Sequence, residues 1–302
     1  MLWEKSVNRI PEMTPTGSAL IIGADSALGK LVTAYLNLHK EPVIGSTRKK
    51  EACNTDKIFL DLSEDIDDSW TPPASVSVAY ICAAVTSLEQ CRINPIQSAL
   101  VNVQNTVKIA SLCMQNGIFV IFPSTNQVFD GSIPLRRPGD PVSPKTEYGR
   151  QKAEAEKSLL ALEGDLAIVR FTKIIYPRLP LIREWMDALG LHQVIHPFSD
   201  YRMAPVPAPL AVECLYKIAD KRIRGIHHIS APLDISYADA AHHIADRMHA
   251  TSDLVRPRKT EDFGVFLEHN PAYTALDASD IEKKLAIRIP NALASIDRVF
   301  FP

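Results

Sequence analysis

The chain has 302 residues, 46% of them hydrophobic and 23% charged, with a net charge of −2. At about 150 residues per domain, that length holds one large domain or two ordinary ones. The balance is that of a soluble globular protein. With only 12 Gly and five Cys, it excludes collagen, coiled coil, disulfide scaffold and global disorder. The near-neutral charge argues against a nucleic-acid partner.

Cys53, Cys82, Cys91, Cys113 and Cys214 show no C-x-x-C spacing. No disulfide framework or zinc ribbon is expected, and a reducing cytoplasm is the expected location. Residues 1–17 lack a signal-peptide apolar stretch and read as a tail. No apolar run approaches the ~18 residues that span a bilayer, so no membrane partner is expected.

The first predicted element is the strand 18–22, SALII, a short apolar run that stops at a glycine. A helix follows over 27–39, then strands over 42–46, 57–60 and 76–83. One long helix is predicted over 95–116, closed by Gly117. A strand at 118–122, a helix at 146–162 ending before Gly164, and a strand at 166–171 complete the series. This alternation predicts an α/β fold, a doubly wound parallel sheet with helices on both faces. Beyond 175 the alternation breaks down. Pro177, Pro180, Pro197, Pro205, Pro207 and Pro209 predict loops and short elements. A short strand over 225–230 and a helix over 237–249 follow.

The turn after the first strand reads Gly23-Ala24-Asp25-Ser26-Ala27-Leu28-Gly29. A strand that turns sharply into a helix gathers backbone N–H groups at one point, and glycines let a dinucleotide pyrophosphate approach them. Ser26 stands where a middle glycine is usual. After the second strand, where an acid would take the ribose 2′-hydroxyl of NAD, the chain has Arg48-Lys49-Lys50. Cations there favour a 2′-phosphate, hence NADP(H), with Arg48 the first choice.

Tyr148 and Lys152 lie four apart on a predicted helix and share a face. A phenol with pKa about 10 is lowered by a neighbouring ammonium and can then protonate a carbonyl that is being reduced. The pair follows Thr125 by 23 residues, and Thr125 ends the fifth predicted strand.

Several tracts carry a resemblance: Cys82-Ala83-Ala84-Val85-Thr86, Ala99-Leu100-Val101-Asn102-Val103, Ser124-Thr125-Asn126-Gln127-Val128-Phe129-Asp130-Gly131, Ser143-Pro144 and Tyr148-Gly149-Arg150-Gln151-Lys152. Arg170, Gly225-Ile226-His227-His228-Ile229-Ser230 and Leu276-Asp277 add to it. The chain resembles the extended short-chain dehydrogenase/reductases, and within them the dTDP-4-dehydrorhamnose reductase-like family. The match runs from about residue 18 to about 290 and is patchy after 175. The resemblance implies a Rossmann fold with a small C-terminal substrate-binding region. The implied division is a tail at 1–17, an NADP-binding domain at 18–175 that also receives roughly 222–243, and a mainly substrate-binding region at 176–302. It implies NADP-dependent reduction of a keto sugar attached to a nucleotide.

Residue by residue, the resemblance places Gly23, Asp25, Ser26, Ala27, Leu28 and Gly29 at the pyrophosphate turn. Arg48, Asp61, Leu62, Ala83, Ala84 and Asn102 join them along the cofactor, with Tyr148 and Lys152. Thr125, Tyr148 and Lys152 form the implied catalytic set, with Ser124 the weaker alternative to Thr125. Thr86, Asn126, Gln127 and Arg202 are implied on the substrate side. Cys82 replaces the Asn usual before the two alanines, and Asn126-Gln127 replaces the usual Asp-Tyr. The latter change argues against dehydration and leaves epimerisation open. A non-catalytic NADP-binding partner subunit is a third reading. The long helices at 95–116 and 146–162 suggest a homodimer. His192/His196, His227/His228 and His242/His243 do not point a ligand set at one ion, so no metal is expected. Trp185 reads as a core side chain more readily than as a base-stacking one.

Overall fold

A computed structural model describes residues 17–263 and 268–302. All but Gly17 of the expected tail lies outside them. They form two compact units by contact: 17–124, 147–169 and 212–226 in the first, and 125–146, 170–211 and 227–302 in the second.

The elements run β1 (Ser18–Ile22), α1 (Ala27–Leu38), β2 (Val43–Thr47), β3 (Lys57–Phe59), β4 (Val76–Ile81), α2 (Leu88–Ile93) and α3 (Pro95–Ala99). Next come α4 (Thr106–Gln115), β5 (Phe119–Thr125), α5 (Glu147–Leu160), β6 (Leu166–Phe171), β7 (Lys173–Ile175), α6 (Pro180–Gly190), β8 (Arg202–Met203) and β9 (Pro205–Pro207). The last are α7 (Ala208–Asp220), β10 (Gly225–Ile229), β11 (Ile235–Ser236), α8 (Tyr237–Arg247), α9 (Ser279–Leu285) and α10 (Ala292–Phe300).

The main sheet has the order β10-β6-β5-β4-β1-β2-β3. The pairs from β5 to β3 are parallel. Chain order reverses at β1, which makes the sheet doubly wound and opens a crevice at the strand ends. Leu20, Ile21 and Ile22 are all fully buried, as a strand covered on both faces requires. Leu20, Ile22, Ala79, Ile81, Val120 and Phe122 on strands pack with Ile109 and Cys113 of α4 and Ala155 and Leu159 of α5.

The single helix expected over 95–116 is broken. Pro95 opens α3 at its first position, where its missing N–H is harmless. Residues 100–105 then wind as a π-helix before α4 resumes. Thr106 Oγ1 donates to Val101 O at 2.8 Å. The wider turn directs Asn102 and Asn105 inward, where both are buried. Asn105 Nδ2 donates to Leu62 O and Glu64 O and so fixes the loop after β3. An inserted π-turn leaves no mark in a 3.6-residue apolar pattern. Upstream, α2 was missed. Ser87 caps it by accepting from Gln90 N.

In the second unit the proline-dense stretch is not mere loop. It carries α6 and the first residues of α7, the rest of which belongs to the first unit. Pro180 sits in the first turn of α6, and Pro209 is the second residue of α7. Proline costs little there. Trp185 of α6 is buried against Ile182, Ile195, Tyr237 and Ile244. It meets Tyr237 edge-on at 6.1 Å between centroids.

Burial makes the first unit's core separable from its surface. Ile109→Ala, at a fully buried site, is expected to cost about 2–5 kcal/mol. Ile96→Ala, at a site 85% exposed, is expected to change stability by less than about 0.5 kcal/mol. Urea denaturation of both variants checks the contrast.

Candidate active site

The turn after β1 is dictated by lack of space. Gly23 has φ +81°, and a Cβ built on it would lie 2.7 Å from Ala83 N and Cα. A Cβ on Gly29 would lie 2.2 Å from Gly23 O, so α1 begins against the same turn. Ser26 is the N-cap of α1, its Oγ accepting from Gly29 N at 3.0 Å. The hydroxyl that replaces the middle glycine is therefore already engaged at the helix start. Gly23 N donates to Ser46 Oγ at 2.8 Å, which ties the turn to β2.

Around this turn lies a cleft of about 360 Å³ in the first unit. Gly23, Asp25, Ser26, Arg48, Asp61, Leu62, Ala83 and Ala84 line it. Sequence reasoning missed Ser46, Thr47, Leu60, Ser63, Val85 and Val101, which line it too. Their signal was positional, since each lies at or just past the end of β2, β3 or β4, or on the π-turn. Ala27, Leu28, Gly29, Thr86, Asn102, Tyr148 and Lys152 stand outside this lining.

The three cations after β2 divide. Arg48 lines the cleft and is exposed. Lys50 Nζ lies 5.1 Å from the centre of the Phe59 ring. Lys49 uses its backbone N–H on Thr47 Oγ1. Asp25 accepts from Thr47 Oγ1 at 2.6 Å and from Lys57 Nζ at 2.8 Å. Those two hydrogen bonds, Lys57's first, hold its carboxyl below the usual carboxylate value. Asp61 Oδ1 accepts from Ser63 N and Ser63 Oγ, closing a tight turn after β3.

Asn102 reaches across to the strand end. Its Oδ1 accepts from Val85 N at 2.8 Å, and its Nδ2 donates to Val85 O at 3.0 Å and Gln151 Oε1 at 2.8 Å. Gln151 Nε2 donates to Ser98 Oγ at 2.8 Å and Glu147 Oε1 at 3.1 Å. The helix that carries Tyr148 and Lys152 is thus fastened to a cleft-lining residue.

Lys152 is 3% exposed. Its Nζ donates to Pro123 O at 2.7 Å and lies 3.7 Å from the centre of the Phe122 ring. Burial is the largest effect on it and brings its pKa from 10.5 down to about 7, against the opposing pull of Glu156. Tyr148 is partly exposed at its surface. Burial of its phenol, with Cys91 adding a smaller push, holds it above its ordinary value. The phenol is therefore a protonated donor at neutral pH, not a phenolate.

In the second unit, Thr125 Oγ1 accepts from Gln127 N at 3.2 Å and caps a short turn over Asn126–Val128. Asn126 Nδ2 donates to Thr274 O at 3.3 Å, and Gln127 Oε1 accepts from Thr146 Oγ1 at 3.0 Å. Val128 and Phe129 are buried. Arg170, also buried, stacks on Phe129 at 5.0 Å and lies 3.3 Å from His228 Nε2. Beyond Thr125, the stretch 126–129 is therefore largely a packing motif. Arg202 is exposed on β8, opposite Ser236 of β11. Among the described residues no group of three or more His, Cys, Asp or Glu could hold a metal, and no helix is long and apolar enough to cross a membrane.

A profile of the family described as RmlD substrate binding domain matches residues 18–300. The probable low-salt glycan biosynthesis reductase Agl14 of Haloferax volcanii is 24% identical over 295 residues, 93% of this chain and 98% of that protein. Methionine adenosyltransferase 2 subunit beta of Xenopus laevis is 26% identical over 282 residues, 89% of this chain and 83% of that protein. The crystal structure of dTDP-4-dehydrorhamnose reductase from Bacillus anthracis in complex with NADP has a TM-score of 0.80 at 19% identity, covering 94% of this chain and 99% of that one. That is a likeness of fold.

The burial of Lys152 has a measurable sign. Between its folded value of about 7 and an unfolded value of about 10.4, the unfolded chain holds the proton and the folded chain does not. Stability must rise with pH across that window. Relative to Lys152→Met, the wild type is expected to gain up to about 1.4 kcal/mol per pH unit between about pH 7 and 10. Urea denaturation of both proteins from pH 5 to 11 checks this, and a flat difference would contradict the burial.

Proposed function

Because the chain belongs to the RmlD substrate binding domain family, we propose that it is an NADP(H)-dependent oxidoreductase that reduces a keto sugar attached to a nucleotide. The observation that carries the reading is the pairing of the glycine-built cleft, with Arg48 at its β2 side, and the Tyr148–Lys152 helix within one unit.

The cleft residues suit the cofactor. Gly23 and the first turn of α1 offer backbone N–H groups to a pyrophosphate. Arg48 offers a fork of donors to a 2′-phosphate. Leu60, Leu62 and Val101 offer apolar cover for an adenine. The carboxylate of Asp25 would repel phosphate, but Lys57 and Thr47 hold it. Bound NADPH supplies the hydride.

The chain's own residues supply the rest. Tyr148 holds a proton on its phenol oxygen and gives it up as charge builds on the substrate oxygen. Lys152 steadies the phenolate left behind and takes ribose hydroxyls. An ammonium has three N–H donors, and Pro123 O uses one. Thr125, Thr86, Asn126, Gln127 and Arg202 we assign to the substrate side on the family resemblance.

A second reading is an NADP-binding partner subunit, which the likeness to a methionine adenosyltransferase subunit favours. The presence of Thr125, Tyr148 and Lys152 together favours the reductase. Epimerisation, the third reading, would regenerate the cofactor within each turnover and show no net NADPH oxidation.

Oxidation of one NADPH per sugar reduced, across a panel of keto nucleotide sugars, is the expected result. Tyr148→Phe is expected to lower turnover roughly 10²- to 10⁴-fold with little change in NADPH affinity. Arg48→Ala is expected to weaken NADPH about tenfold, the loss of one charge-assisted contact, and to leave NADH unchanged. Equal wild-type affinity for NADPH and NADH would overturn the cofactor assignment. Tight NADPH binding with no oxidation on any keto sugar would favour the partner subunit.

A further inference from the structure

Lys152 and Glu156 are one turn apart on a single face of α5. Both are buried, at 3% and 2% exposure. They grip consecutive residues at the end of β5. Lys152 Nζ donates to Pro123 O at 2.7 Å, and Ser124 Oγ donates to Glu156 Oε1 at 2.5 Å. The next residue along the chain is Thr125. The hydroxyl of Ser124, which the sequence offered as an alternative to that of Thr125, is thus directed to an acid.

A buried ammonium needs a counter-charge or it sheds its proton. Among the described residues, the titratable groups that act on Lys152 are Glu156 on α5 and Cys82, just past the end of β4; Tyr148 lies one turn back on the same helix. Phe122 and Pro123 of β5 complete its surroundings with a ring face and a carbonyl. Burial pushes the Cys82 thiol up to about 12 and the Tyr148 phenol higher than its ordinary value. Both are neutral at neutral pH. Glu156 acts against the burial of Lys152 and pulls it toward its charged form.

We propose that Glu156, held by Ser124, is a positioning residue whose carboxylate keeps Lys152 charged and in place beside the cofactor and Tyr148. Its role in turnover rests on the reductase reading above. Its electrostatic action on Lys152 does not.

Glu156→Gln retains an acceptor for Ser124 and removes only the charge. Glu156→Asp keeps the charge on a shorter stem. The first readout needs no substrate. Urea denaturation across pH, with and without Lys152→Met in each background, gives the pH above which Lys152 begins to add stability. That onset marks loss of its proton in the folded chain. Glu156→Gln is expected to lower the onset by about one to three pH units, the usual effect of removing a near opposite charge. Glu156→Asp is expected to restore part of it. Ser124→Ala, which loosens the carboxylate, should move it the same way by less.

The second readout is the alkaline limb of kcat/KM on the best keto nucleotide sugar, which should move down with the onset. An onset unmoved in both Glu156→Gln and Ser124→Ala overturns the proposal, whatever turnover shows. A lowered onset in a protein that reduces no keto sugar upholds the Lys152–Glu156 coupling and overturns the reductase reading instead.

Discussion

No side chain can stand at position 23, and the first unit is arranged around that vacancy. The end of β4 presses its Ala83 backbone to within 2.7 Å of where a Cβ would be. The same turn receives Ser46 from β2 through a 2.8 Å hydrogen bond and the start of α1 against Gly23 O. Three strand ends and a helix start therefore converge on one point of bare backbone. This is the topological switch point of a doubly wound sheet, where a crevice must open because neighbouring connections leave in opposite directions. The cleft follows from the topology. The glycine decides how closely a ligand's phosphates can reach the peptide N–H groups.

Charge around the cleft is sorted by partner rather than by composition. Of the three cations after β2, Lys50 is turned to the Phe59 ring and Arg48 faces the cleft. Asp25 would place a negative charge where anions are to bind, yet Thr47 and Lys57 occupy its two oxygens. The pair is partly exposed, so its contribution to stability is small. Its consequence is local: a carboxylate with both oxygens hydrogen-bonded repels a second anion less than a bare one.

Local signals in the sequence were sufficient for the parallel sheet and for much of the cleft. Strands such as SALII are short, apolar and stopped by glycine, and cleft residues sit at their ends, so Gly23, Ser26 and Arg48 could be named from order alone, while Asp61 and Ala83 came from the family resemblance. What escaped has physical causes. The π-turn at 100–105 keeps an apolar pattern while rotating Asn102 inward. Prolines 180 and 209 read as breakers, although in a first helical turn they are starters. The environment of Lys152 was the furthest from reach. The sequence says that a phenol and an ammonium share a helix face. It does not say that the ammonium is buried, that burial raises the phenol, or that an acid one turn on is tied to the neighbouring strand.

That last point changes how the proposed Tyr148–Lys152 pair would work. A lysine beside a tyrosine is usually thought of as lowering the phenol. Here burial acts on both groups and favours the neutral form of each, raising Tyr148 and drawing Lys152 down to about 7. Before any proton moves, the phenol is a full donor and does not lose its proton to water. Once it moves, a phenolate on Tyr148 would lie one helical turn from the Lys152 ammonium, and away from bulk water that attraction exceeds its value in water. The burial that disfavours each charge alone favours the two together. In the proposed reduction this places the electrostatic gain after proton transfer begins, which is where an interaction must be stronger to accelerate the step. The arrangement needs Lys152 to carry its charge at that moment. An acid fixed one turn away is a direct way to ensure it.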